Sequence, residues 1–83
     1  MRITHFRPMK RDKQAGNKAR ALAREMAKEL RQAGHIVIES VKGKGEYFTS
    51  VKYEEVQDLA YKLAEGQAQY STANLSIFET GIY

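Results

Sequence analysis

The sequence predicts an α+β fold in which two helices cover one face of an antiparallel β-sheet. Residues 12–34 and 53–65 repeat apolar residues at steps of three and four, as amphipathic helices do. Residues 35–41 and 46–51 are rich in β-branched and aromatic residues, and the Gly-rich turn between them predicts an antiparallel hairpin. The chain has 83 residues and no cysteine, which indicates one small domain with a thin core and no disulfide.

The start of the chain decides the order of the elements. Residues 1–11 are expected to form either a basic N-terminal arm or a short first strand that Pro8 ends. With that strand the order is βαββαβ, the order of the ferredoxin-like fold, and without it the order is αββαβ. The first strand of a ferredoxin-like sheet is central and is expected to be strongly apolar, which "RITHF" is not. Residues 12–83 are predicted to form the single α+β domain in both cases.

Both helices carry signals for their ends. The first helix is predicted to begin near Asp12, a good N-cap residue, and to end before Gly34, which suits the left-handed position after a helix. Gly66 has the same place after the second helix. The apolar stripe of the first helix is mostly alanine, so neighbouring elements can approach it closely.

The predicted strands carry apolar residues on both faces. Ile38 faces away from Val37 in the hairpin, and Phe78 faces away from Ile77 in the last strand, residues 74–83. Two helices cover only one face of a sheet, and large exposed apolar patches are uncommon on monomers. The sequence therefore predicts that a second copy, in a homodimer, or another partner covers the other face.

Charge is distributed unevenly along the chain, whose net charge is +4. Residues 1–44 hold 12 lysines and arginines against four acids, whereas residues 45–83 hold two against six. Such a contrast suggests a polyanionic partner for the basic half. The alternative is that the two halves attract each other, within one molecule or across a dimer.

One helix face concentrates the positive charge. At 100° per residue, five cations of the first helix fall within a stripe of about 80°, and Glu25 and Glu29 lie elsewhere. Like charges at i,i+4 cost roughly 0.2–0.5 kcal/mol per pair in an isolated helix. This basic stripe consists of Lys13, Arg20, Arg24, Lys28 and Arg31. The N-terminal cations Arg7, Lys10 and Arg11 are predicted to add to it. We expect these residues to bind a polyanion; the alternative is a solvated helix face.

The hairpin tip is the second candidate site. Lys42 and Lys44 flank glycine and are predicted to reach phosphates, while Tyr47 or Phe48 could stack on bases. Tyr61 is a further candidate for stacking or an interface, because it lies off the apolar face of the second helix. An ordinary Gly-rich hairpin with soluble lysines explains the same residues.

The tip "KGKGEYFT" resembles the RNA-recognition-motif pattern K/R-G-F/Y-G/A-F-V-x-F/Y only in part. Lys42 and two glycines match that pattern. Three non-aromatic residues occupy its aromatic positions: Lys44, Glu46 and Thr49. The chain is therefore assigned to no family.

Several function classes have no support in the sequence. His5 and His35 are isolated, and no spacing typical of a metal site, cofactor site or catalytic group is present. No stretch has the length of a membrane span, and the first helix lacks the aromatic anchors of a membrane-surface helix. We therefore expect a non-enzymatic cytoplasmic protein without cofactor, metal or membrane partner.

The predicted function is nucleic-acid binding, to DNA or RNA, through the basic stripe and the hairpin tip. The alternative is a protein-binding inhibitor or adaptor that docks its basic face on an acidic or RNA-containing protein assembly. A charge map gives the sign of a partner but not its chemistry, so both hypotheses stay open at this point.

Overall fold

The computed structural model describes residues 2–9, 13–42 and 45–81. Six elements follow one another in the order βαββαβ, which confirms the predicted α+β class. They are β1 (Arg2–Pro8), α1 (Lys13–Gln32), β2 (Val37–Glu39), β3 (Tyr47–Thr49), α2 (Tyr53–Ala64) and β4 (Leu75–Gly81). Of the two alternatives for the N-terminus, Arg2–Pro8 form a strand.

The four strands make one sheet in the order β2-β3-β1-β4, with antiparallel pairing throughout. The unit β1-α1-β2 is split by β3, and the unit β3-α2-β4 is split by β1. This interleaving is compatible with a ferredoxin-like fold. It also makes β1 a central strand, although its sequence is not strongly apolar.

Two threonines explain how a polar strand can lie in the centre of the sheet. Thr4 on β1 is the direct partner of Thr49 on β3, and both are buried. The Thr4 hydroxyl donates to the carbonyl oxygen of Val51 at 2.6 Å. The Thr49 hydroxyl donates to the carbonyl oxygen of Ile36 at 2.9 Å and accepts from the Val51 N–H at 3.3 Å. These bonds satisfy the buried hydroxyls and fasten the segments before β2 and after β3 to the sheet.

The core lies between the sheet and both helices. Phe6 of β1 is fully buried against the helices, in one cluster with Leu22 and Met26 of α1 and Val56 of α2. Full burial of a side chain of this size contributes roughly 1.5–3 kcal/mol. The prediction that both helices cover the same sheet face is confirmed by this shared cluster.

The helix ends are where the glycines predicted them. Gly34 has φ +95°, its N–H donates to the Arg31 carbonyl, and the His35 N–H donates to the Leu30 carbonyl, both at 3.0 Å. This pair of bonds is the Schellman motif that closes α1. Gly66, after α2, also has a positive φ of 70°.

The hairpin strands are paired as predicted but shorter than residues 35–41 and 46–51. The carbonyl of Ile36 accepts a side-chain bond from Thr49 instead of a ladder bond. At the other end, the Ser40 N–H donates to the Glu46 carbonyl at 2.9 Å, and the chain turns beyond that bond. Each of the two strands therefore keeps three residues.

Candidate nucleic-acid interface

The flank of α1 that borders the hairpin carries four cations whose side chains the structure describes. They are Arg20, which is half-buried, and Arg24, Lys28 and Arg31, which are exposed. With a rise of 1.5 Å per residue, they follow the helix for about 17 Å. The opposite side of α1 is buried in the core, so the row is fixed to a rigid element. We call these four residues the α1 cation row.

An open groove of about 580 Å³ separates Arg20 and Arg24, the first two cations of the row, from the β2–β3 hairpin. Its lining residues are Arg20, Arg24, Glu39, Ser40, Gly45 and Tyr47. A Cβ atom at Gly45 would lie 3.6 Å from Cγ of Arg20 and 3.7 Å from Cδ of Pro8. The hairpin, the first half of α1 and the end of β1 therefore meet at Gly45, whose φ of +86° favours glycine.

Tyr47 forms the inner wall of this groove. Its ring is buried and stacks on Phe6, with the centroids 5.3 Å apart. Burial raises the pKa of the Tyr47 phenol, and the Glu39 carboxylate raises it further, whereas the guanidinium groups of Arg24 and Arg31 lower it. Two members of the α1 cation row are thus close enough to this phenol to act on it. The ring itself faces the core and is not free to stack on a base.

Glu39 is held in place inside the groove. Its carboxylate accepts the Gly45 N–H at 3.4 Å and a side-chain hydrogen bond from Tyr47. Because these partners are neutral, the negative charge of Glu39 stays in the groove. An incoming phosphate is therefore repelled at Glu39, on the hairpin side of the groove, and favoured along the helix flank.

The cations of the row differ in how they are engaged. Arg20 donates to Oδ1 of Asn17 at 3.1 Å, and Arg31 donates to the carbonyl oxygen of Val37 at 2.9 Å, which ties the end of α1 to β2. Arg24 and Lys28 make no hydrogen bond or ion pair with any described residue. These two side chains are therefore the ones most free to bind a ligand.

The ion pairs within residues 2–9, 13–42 and 45–81 do not include any residue of α1. Arg2 pairs with Glu79 at 3.4 Å, and Arg7 pairs with Glu46 at 3.0 Å. No acid in these ranges pairs with the α1 cation row. These two ion pairs join the basic half of the chain to the acidic half. They leave the α1 cation row without an acidic partner among the described residues.

The other predicted cations are not all brought to this surface. Arg7 lies on the opposite sheet face, where its guanidinium is 5.7 Å from the centre of the Phe78 ring. Lys42 is exposed in the hairpin loop. Lys13 belongs to α1, but its side chain is outside the described part of the chain. Lys10, Arg11 and Lys44 also lie outside the described residues.

The three aromatic candidates lie on three separate surfaces. Tyr47 is in the core, Phe48 is half-buried on the opposite sheet face, and Tyr61 is 57% exposed on α2. They do not form a common stacking platform. Their positions therefore do not support a resemblance of the hairpin to the RNA-recognition motif.

Sequence reasoning missed the surroundings of His5. The imidazole is buried and stacks on Phe48, with centroids 4.2 Å apart and planes at 4°, and meets Phe78 edge-on at 4.5 Å. Nε2 of His5 is buried without a hydrogen-bond partner in the described structure. Burial lowers the pKa of His5, Arg7 lowers it further, and Glu46 opposes them. The signal that would have revealed this cluster is the strand register, which local patterns do not give.

In comparisons with known proteins, no family model, no curated protein and no solved structure matches the chain. Within the described ranges, no three His, Asp or Glu side chains are grouped as a metal site requires. No described helix combines the length and the apolar character needed to cross a membrane. The evidence for a function therefore comes from the charges and shape of the protein surface.

Proposed function

We propose that this protein binds nucleic acid without catalysis and holds the phosphate backbone along the α1 cation row. The observation that carries the proposal is a row of four cations on one flank of α1, the first two of them beside an open groove, with no ion pair to any described residue. A polyanion neutralises such a row and releases condensed counterions from its own phosphates, which favours binding.

The length of the row favours a polymer over a small anion. About 17 Å along α1 corresponds to roughly five phosphates of one strand at about 3.4 Å per step of the duplex axis. A free phosphate contacts only one or two cations of such a row. Consecutive phosphates would also relieve the repulsion between Arg20, Arg24 and Lys28, which are spaced at i,i+4.

The exposure and hydrogen bonding of the four cations also favour binding of a phosphate backbone. Arg24 and Lys28 are exposed and unpaired with the described residues, so binding them to phosphate breaks no bond there. Arg20 and Arg31 are held by Asn17 and Val37, and their charges are therefore fixed in position. Phosphate contacts of this kind position a nucleic acid without reading its sequence.

The test compares two double variants with the same net charge. Arg24→Gln with Lys28→Gln removes the two free cations of the row. Lys18→Gln with Lys52→Gln is the control, because Lys18 is exposed about 120° around α1 and Lys52 is exposed before α2. Each pair lowers the net charge by two, from +4. Binding of a labelled duplex and a labelled single strand is measured by fluorescence anisotropy over a range of salt concentrations.

The row variant should bind more weakly and should flatten the plot of log affinity against log salt. Two lost phosphate contacts reduce the slope by about 1.8 for a duplex and about 1.4 for a single strand. The control should keep the slope of the unmodified protein. Equal losses in both variants, or no binding of the unmodified protein at low salt, would contradict the proposal.

A further inference from the structure

The sheet face opposite the helices carries one apolar row across all four strands. Strand register makes Ile38, Phe48, His5 and Phe78 successive neighbours. Ile38 is 62% exposed, and the two phenylalanines are half-buried. No described helix covers this face, because both helices pack on the other side with Phe6. We call it the open face.

The open face is electrically neutral in the part that the structure describes. Its charged side chains are Arg7 and Glu46, which pair with each other at 3.0 Å. The α1 cation row lies on the helix side of the molecule. A polyanion therefore finds few free cations here, whereas a second copy meets no unpaired like charge among the described residues of this face.

The ring geometry also disfavours base stacking. The rings of His5 and Phe48 are parallel within 4° and face each other across neighbouring strands. One flat surface of each ring therefore covers the other ring and is closed to a base. The third ring, Phe78, has the Arg7 guanidinium 5.7 Å from its centre. Such a surface offers apolar edges for protein packing, with a charged pair at its rim.

We propose that the open face is covered by a second copy of this chain in a symmetric dimer. A two-fold interface brings the same patch from both subunits together, so Arg7 of one copy can also pair with Glu46 of the other. The molecule extends 36 × 25 × 18 Å along its principal axes, so a flat ellipse across its two longer axes has an area of about 700 Å². Two faces of that size would bury about 1,400 Å², near the lower end of the range for stable interfaces.

This dimer places the two α1 cation rows on its outer surfaces. Bivalent binding of a long nucleic acid by this dimer rests on the proposed function, whereas the dimer itself does not. A strand long enough to reach both rows would bind more tightly than a short one, because the second contact is intramolecular.

The test measures the mass of the full chain by sedimentation from about 1 µM to about 200 µM, a range that brackets a micromolar Kd. Ile38→Glu is the interface variant. Tyr61→Glu is the matched control, because Tyr61 is similarly exposed but lies on α2. The unmodified chain and the control should move from 9.5 kDa toward twice that mass, and the interface variant should stay monomeric, with at least about 100-fold weaker association. Circular dichroism confirms that both variants fold.

Three results would overturn the dimer: a monomeric unmodified chain at the highest concentration, an Ile38→Glu chain that still dimerises, or equal losses in the control. Short-strand binding is measured in parallel, so that failure of the dimer and failure of nucleic-acid binding are separate outcomes. The Ile38→Glu chain should keep its affinity for a short strand and lose the extra affinity for a long one. Loss of short-strand binding in that variant would assign the open face to nucleic acid and contradict the dimer.

Discussion

The buried hydroxyl of Thr4 offers a sharp test of how a polar strand is held in the centre of the sheet. The change Thr4→Val keeps the branched shape and removes the donor. The carbonyl of Val51, which accepts this bond at 2.6 Å, then loses its partner, and Val51 is itself buried. An unsatisfied buried acceptor costs about 1–3 kcal/mol. The added methyl group offsets part of this loss, because it buries apolar surface.

We therefore expect Thr4→Val to lower the free energy of unfolding by about 1–2 kcal/mol. For a domain of this size, that corresponds to a fall in Tm of roughly 5–15 °C. Urea and thermal unfolding, followed by circular dichroism, measure both quantities. Thr4→Ser keeps the donor and separates the hydrogen bond from the packing of the methyl group.

Thr80→Val is the matched control on β4. The Thr80 hydroxyl donates to the Ile3 carbonyl at 3.4 Å, near the limit of a hydrogen bond, and Thr80 is only half-buried. Its loss should cost less than about 0.5 kcal/mol. If Thr4→Val is no more destabilising than Thr80→Val, the Thr4 hydrogen bond does not stabilise β1 in the centre of the sheet.

Three further predictions concern stability. Burial lowers the pKa of His5 from its ordinary value of 6.5, so the unfolded chain binds more protons than the folded chain once the pH falls to about 6.5, and stability decreases as the pH is lowered further. Urea unfolding at pH 7.5 and 5.5 should show this loss, and His5→Phe should reduce it. Gly34→Ala should cost about 1–2 kcal/mol through its positive φ alone, since no atom lies within 4 Å of the added Cβ. Met26→Ala should cost about 2–5 kcal/mol, because Met26 is fully buried; a smaller loss in urea unfolding would place it outside the core.

The element order and the helix ends could be predicted because their signals are local. The apolar period locates α1 and α2, and Gly34 and Gly66 end them through their own backbone conformation. The central place of β1 could not be predicted in this way. Thr4 depends on Val51, 47 residues away, to satisfy its hydroxyl. No local pattern contains that partner.

The candidate site also has one part that the sequence predicts and another that depends on tertiary packing. The α1 cation row follows from helical periodicity, so its alignment was visible in the sequence. The groove was not, because Glu39 and Gly45 join it only through the packing of the hairpin on α1. Tyr47 and Phe48 are adjacent aromatic residues, and alternation alone does not tell which one faces the core.

Chemical-shift mapping of the 15N-labelled protein with a short oligonucleotide locates the proposed nucleic-acid site directly. If nucleic acid binds along α1, the largest shifts should fall on residues 20–31. The amides of β4, and Phe78 above all, should change little. Shifts centred on Phe48 and Phe78, or no shifts at low salt, would contradict the proposal.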